Sequence, residues 1–182
     1  MATKSETPGP KTSIEALTKY SFSPIVASDA KILILGTLPG EESLRLQQYY
    51  GHTRNHFWPA IAAVFNEPPP TLYSERVAML LRNRIALWDV LECAERTGSA
   101  LDSAIESERA NDFAEFFRQH PMIRTVAFNG NNAHKFFKRL VGKIQDLPPE
   151  LVLLPPLPST SPAYARPFEE KVAKWRAALA GY

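Results

Sequence analysis

The chain has 182 residues and a mass of 20.4 kDa, enough for one domain with a sizeable core, and 45% of it is hydrophobic, which favours a globular domain over a disordered chain. Its net charge is only +2, so binding to nucleic acid would need a local basic surface instead of a global one. The lone Cys93 excludes a disulfide framework, a cysteine-based zinc site and an iron–sulfur cluster, and fits a reduced, cytoplasmic compartment. The first 24 residues lack the apolar core of a signal peptide, and no apolar run approaches the roughly 18 residues that span a membrane.

In chain order, residues 1–12 read as a flexible tail, and Ser13 to Tyr20 as a short helix ending at a Ser23-Pro24 turn. Ile32 to Leu35 is a short apolar run cut off by Gly36-Thr37-Leu38-Pro39-Gly40, the pattern of a buried strand. A loop of aromatic, amide and basic residues follows. A helix then carries Phe57, Ile61, Val64 and Phe65 until Glu67-Pro68-Pro69-Pro70 ends it. Thr71 to Leu81 predicts a second helix, with Thr71 or Ser74 as N-cap. Arg84 to Leu91 reads as a second strand carrying Trp88 and Asp89. Residues 92–115 hold seven acids against two bases and read as a solvated connection into a helix with Phe113, Phe116 and Phe117. Ile123 to Phe128 predicts a third strand, ending at Asn129-Gly130. The helix after it carries Lys135, Lys138, Arg139 and Lys143 with no acid between residues 131 and 143. Leu151 to Leu154 predicts a fourth strand, Pro155 to Pro162 a proline-rich coil, and Pro167 to Ala180 an amphipathic helix with Val172, Trp175 and Leu179 inward. Alternating strands and helices predict an α/β fold: a three-layer αβα sandwich around a four-stranded parallel sheet, in a single domain over 13–182.

In such a sheet the strand ends lie along one edge, where open α/β folds build ligand sites. Here they supply amides, hydroxyls and aromatics. There is no nucleophile elbow and no phosphate-binding glycine loop, and His52 and His56 at i, i+4 lack a third metal ligand. Such a set suits a flat heterocycle, with stacking for its face and amides for its edge. Each residue also has a plainer role open to it. Tyr49 and Tyr50 could be packing residues, Asn55 a helix cap, Asn129-Gly130 an ordinary turn, and Ser159-Thr160-Ser161 loop or cap chemistry.

The segments Gly36-Thr37-Leu38-Pro39-Gly40 and His52-Thr53-Arg54-Asn55-His56-Phe57-Trp58 resemble the first motif of the mismatch-specific uracil/thymine-DNA glycosylases, Gly-Ile-Asn-Pro-Gly followed by His-Pro-x-Asn-Arg-Phe-Trp. Leu157 to Ala163 resembles the second motif of the uracil-DNA glycosylase superfamily, so the resemblance covers about residues 30–180. Leu38 stands where the mismatch-specific enzymes carry a water-positioning asparagine. That departure, with the Tyr-Tyr-Gly-His and Leu-Pro-Ser-Thr-Ser-Pro-Ala segments, is similar to the hypoxanthine-DNA glycosylase (DNA-deoxyinosine glycosylase) branch.

The resemblance implies a uracil-DNA glycosylase-like fold and a monofunctional DNA glycosylase that flips a deaminated base and hydrolyses its N-glycosidic bond. Asn55 is the implied catalytic residue. Gly36, Thr37, Leu38, Tyr50 and Asn129 are the implied base-binding set, with Tyr50 stacking and Asn129 reading the base edge. Ser159, Thr160 and Ser161 would hold phosphates, and Ala163, Tyr164 or Arg166 would fill the gap left in the duplex. No metal and no cofactor is implied. The expected partners are double-stranded DNA with a deaminated base and a downstream abasic-site endonuclease. The chain is expected to act as a monomer in the cytoplasm, nucleoid-associated if bacterial, without membrane contact. A uracil- or xanthine-directed glycosylase, a catalytically inactive DNA- or nucleotide-binding module and a flavodoxin-like hydrolase are the alternatives.

Overall fold

The structure is a computed structural model that describes residues 17–96, 105–142 and 144–181. The tail, and the first part of the helix expected from Ser13, fall outside these residues. In chain order the elements are β1 (Leu17–Tyr20), β2 (Ile32–Gly36), α1 (Glu41–Leu46), α2 (Phe57–Val64), α3 (Tyr73–Arg82), β3 (Ile85–Asp89) and β4 (Leu91–Arg96). Then come β5 (Ile105–Ala110), α4 (Phe113–Gln119), β6 (Thr125–Phe128), α5 (Asn131–Leu140), β7 (Val152–Leu153) and α6 (Phe168–Leu179).

Four strands form a parallel sheet in the order β3-β2-β6-β7. β2 lies inside it, and all five of its residues are buried. Because side chains alternate along a strand, a run apolar at every position needs a core on each face. Leu33 and Leu35 face Phe113, Phe116 and Phe117 of α4 and Phe137 of α5. Ile32 and Ile34 face Phe57, Trp58 and Ile61 of α2, Met79 and Leu80 of α3, and Trp175 and Leu179 of α6. This is the expected three-layer sandwich. Each Ile or Leu so buried contributes about 2 kcal/mol of burial free energy.

β7 is different: Val152 and Leu153 are 47% and 40% exposed, because it pairs through two residues at the sheet's edge. On the opposite edge Ile25 exchanges two backbone hydrogen bonds with Leu87, at 2.9 and 2.8 Å, and covers β3.

A second, antiparallel sheet in the order β1-β4-β5 corrects two expectations. Leu17–Tyr20 is a strand paired with β4 and not part of a helix. The acidic stretch 92–115 contains most of β4 and all of β5. Two register shifts between these strands break the alternation by which a strand is recognised, and ion pairs such as Arg109–Glu92 (2.8 Å) and Arg139–Glu108 (2.9 Å) hold its charges. Neither Thr71 nor Ser74 caps α3. Leu72 is the N-cap, and its N–H donates to Glu75 Oε2 at 3.2 Å.

Tyr49 ties the loop after α1 to the loop after β1. Its hydroxyl lies 3.1 Å from Phe22 O and 3.2 Å from Ser23 O, and its carbonyl accepts Trp58 Nε1–H at 2.9 Å. Burial pushes the Tyr49 phenol well above its ordinary pKa, with the nearby Asp89 acting in the same direction. The unfolded chain therefore releases this proton near pH 10 and the folded chain keeps it, so stability is lost as pH rises above about 10. Urea melts at pH 8, 10 and 11 should show the decline, and Tyr49→Phe should make it shallower.

Candidate active site

β2, β3 and β6 end at the same edge of the parallel sheet. Their following residues and the coil after β7 enclose a cleft of about 1610 Å³. Its lining includes Gly36, Thr37, Leu38, Tyr50, Asn55, Asp89, Asn129, Ser159 and Ser161, with Ala163, Tyr164 and Arg166 at the exposed rim. All the sequence-predicted site residues except Thr160 therefore meet in one cavity.

Gly36 is glycine for reasons of space. A Cβ there would collide with Asp89 Oδ1 and come within 2.8 Å of the Tyr50 hydroxyl. Gly36 and Asp89 are register partners, so β2 and β3 deliver a glycine and a carboxylate side by side to the cleft floor. Asp89 is only 4% exposed. Sequence reasoning placed it at a strand end but not among the site residues. The usable signal was a charged residue closing a strand that is otherwise apolar. Leu38 is 8% exposed, and its side chain offers no polar atom to the cleft.

Tyr50 lines the cleft and stacks on Phe57, with ring centroids 4.0 Å apart and planes at 23°. Its φ of 51° is in the left-handed region, a conformation a tyrosine adopts only when its surroundings hold it there.

Asn55 does take part in capping. Its Oδ1 accepts the Phe57 N–H at 2.9 Å, one residue before the His56 N-cap of α2. A backbone N–H can only donate, so this contact fixes which end of the amide is oxygen. The amino end, Nδ2, is left for the cleft. Capping and a role in the site thus belong to the same side chain.

Asn129 is bonded at both ends. Its Nδ2 donates to Thr160 Oγ1 at 2.8 Å, and its Oδ1 accepts the Thr160 N–H at 2.9 Å. One N–H and one lone pair remain. Thr160 is 1% exposed and its carbonyl accepts the His56 N–H at 3.0 Å, so its polar atoms are used inside the protein. That corrects the expectation that Thr160 holds phosphate; Ser159 and Ser161 are the members of the run that line the cleft. Gly130, at φ 98°, brings the chain within contact of Ser159, and a Cβ there would lie 3.1 Å from the serine Cβ.

The rim is charged. Glu41 pairs with Lys19 (2.5 Å), Glu42 with Arg45 (2.7 Å) and Glu170 with Arg166 (3.3 Å). Arg54 and Lys174 stand on it outside the ion pairs found among the described residues. Lys135 and Lys138, the basic face picked out in the sequence, are exposed on α5 and do not line the cleft. Among the described residues no group of three metal-ligating side chains occurs, and His52 Nδ1 accepts the Arg54 N–H at 3.1 Å. No helix among them is long and apolar enough to cross a membrane.

A parallel sheet between helical layers, with a polar and aromatic cleft at the carboxyl ends of its strands, defines an open α/β protein whose cleft lies where such folds bind their ligands. The chain belongs to the uracil DNA glycosylase superfamily, whose family model matches residues 23–180. It is 35% identical over 160 residues to a hypoxanthine DNA glycosylase of Methanosarcina acetivorans, covering 87% of this chain and 96% of that one. It is 37% identical over 119 residues to a hypoxanthine DNA glycosylase of Methanosarcina barkeri, covering 65% of this chain and 75% of that one. The solution NMR structure of a Methanosarcina acetivorans protein proposed to be a uracil DNA glycosylase superposes with a TM-score of 0.75 at 34% identity, covering 90% of this chain and 97% of that one.

Gly36→Ala tests the crowded floor. It should cost about 1–3 kcal/mol of stability through overpacking. An urea melt unchanged from wild type would mean that the two oxygens have room to move aside.

Proposed function

We propose that the chain is a monofunctional DNA glycosylase that removes hypoxanthine from deoxyinosine in double-stranded DNA and leaves an abasic site. The observation that carries this reading is the pairing of an apolar Leu38 with an Asn55 amide oriented by the Phe57 N–H. It is the arrangement expected when the catalytic amide has moved from the β2 loop to the start of α2. The hypoxanthine DNA glycosylases similar to this chain over most of its length support the choice of base.

A deoxyinosine opposite a mismatched base flips out at a cost of a few kcal/mol, which itself favours the lesion. The flipped purine enters the cleft and stacks against Tyr50. Asp89 at the floor offers an acceptor to the lactam N–H, and Asn129 offers its remaining N–H and lone pair to the base edge. Gly36 and Thr37 border the base through the backbone at the end of β2.

The C1′–N9 bond then breaks with its electron pair passing to the base. Water adds through oxygen to C1′ and releases a proton to solvent. The purine anion takes one up in turn. Asn55 Nδ2 is a donor, so its natural target is the negative charge growing on the leaving base, where a fixed donor lowers the barrier most. Positioning and electrostatics carry the rate, because an amide is a poor base. Ser159 and Ser161 hold the flanking phosphates, and Ala163, Tyr164 or Arg166 fills the vacated stack. The abasic product would pass to an abasic-site endonuclease, and the chain would act as a monomer on cytoplasmic or nucleoid DNA.

Single-turnover assays on labelled duplexes containing inosine, xanthine, uracil or a mismatched thymine, followed by alkaline cleavage, test this reading. Inosine should be cleaved first, and Asn55→Ala should lower its rate about a hundredfold or more. Uracil cleaved first would move the assignment to another lactam base, and tight binding without cleavage would make the chain an inactive binding module.

Arg54 and Lys174 should each account for about one unit of the salt slope of DNA binding. Replacing both by alanine and finding the slope of log K against log salt unaltered would place the backbone path elsewhere.

A further inference from the structure

Thr160 lies in a proline-rich coil between two serines that line the cleft, yet it is 1% exposed. A residue buried in coil has no ladder to satisfy its backbone, so each polar group needs a specific partner. Thr160 finds all three in the two amide-bearing segments of the site. Its N–H and Oγ1 meet the two ends of the Asn129 amide at 2.9 and 2.8 Å, and its carbonyl meets the N–H of His56, the neighbour of Asn55, at 3.0 Å.

The two bonds to Asn129 differ in kind. The Thr160 N–H can only donate, so the amide oxygen must face it, and the amino group must then face Oγ1. Rotating the amide by half a turn would set donor against donor at the backbone. The bridge therefore holds the amide in place and also fixes which side of it carries the donor and which the acceptor. Hypoxanthine and adenine differ in just this respect. Where adenine shows an amino donor and a ring-nitrogen acceptor, hypoxanthine shows a carbonyl acceptor and an N–H donor. An Asn129 free to turn over could pair with either edge.

We infer that Thr160 is a positioning residue that holds Asn129 in one donor–acceptor polarity, its N–H setting which end is oxygen and its Oγ1 keeping the amide from swinging off that bond, and that the pair thereby selects hypoxanthine over adenine at the base edge. The inference rests on the glycosylase reading above and adds to it a specificity determinant that touches neither base nor phosphate.

Thr160→Val keeps the branch and the volume but removes the Oγ1 acceptor, leaving the Asn129 amide on the single bond from the Thr160 N–H, from which it can swing away and turn over. Wild type, Thr160→Val and Thr160→Ser are compared in single-turnover assays on duplexes with inosine or adenine opposite the same base. Affinity for a duplex carrying a stable abasic-site analogue and thermal melting are measured alongside. Thr160→Val should excise hypoxanthine about ten- to a hundredfold more slowly, with a smaller preference over adenine, while affinity stays within about twofold. Thr160→Ser, which restores the acceptor, should recover the rate to within about threefold of wild type. In an Asn129→Ala background Thr160→Val should cost less than about twofold, because the group it orients is already gone. If Thr160→Val melts early, the Ser variant and the Asn129 side-chain NH₂ resonances decide instead: the wild-type and Ser proteins should show one hydrogen-bonded proton that the Val protein lacks. A Val variant with wild-type rate and selectivity, or one equally damaging in the Asn129→Ala background, would overturn the proposal. A wild-type protein inert on every lesion would overturn the glycosylase reading and this proposal with it; a failure of the Val variant alone would leave that reading standing.

Discussion

The burial of β2 on both faces is the constraint on which the rest depends. Four consecutive apolar residues divide their side chains between two separate cores, so helices must cover the sheet above and below. Parallel neighbours on each side then hold the strand's direction, and its end falls where β3 and β6 also end. Gly36 sits at that end. Lacking a side chain, it lets Asp89 and the Tyr50 hydroxyl close over the strand, and the cleft floor forms from groups that come from three parts of the chain.

The site is rigid where it needs to be because its polar side chains serve structure and ligand at once. Asn55 anchors the start of α2 with its oxygen and keeps its amino group for the cleft. Asn129 and Thr160 hold one another, and Trp175 of α6 donates to Pro158 O at 3.0 Å, fixing the same coil from behind. Side chains held by several bonds pay their ordering cost during folding, so little remains to be spent at the moment of reaction. Beyond Thr160 the coil runs out to exposed residues. There Tyr164 lies beneath the Lys171 ammonium, 5.4 Å from its ring, and accepts a hydrogen bond from Arg166 Nε at 3.1 Å. Burial lowers the pKa of Lys171, so that cation is held at a cost beside the part of the rim expected to meet DNA.

Much of this was legible in the sequence. The four parallel strands follow from short apolar runs broken by turn residues, and α6 from the spacing of Val172, Trp175 and Leu179. The gathering of Gly36, Asn55, Asn129 and Ser159 follows from the rule that parallel strands end together. The second sheet was not legible. Charged residues and two register shifts disguise β4 and β5, and β1 pairs only with residues more than seventy positions away. Local pattern has no means of registering so distant a partner.

By itself the sequence determined which residue types would stand at the sheet's edge, because hydrophobic periodicity and turn chemistry are local properties. Only the tertiary structure decided what each of them does there. It turned Thr160 inward to Asn129, set Asp89 on the floor beside Gly36, and committed one end of the Asn55 amide to the backbone. Those outcomes depend on burial and on hydrogen-bond partners brought from distant parts of the chain, and both exist only once the layers have packed.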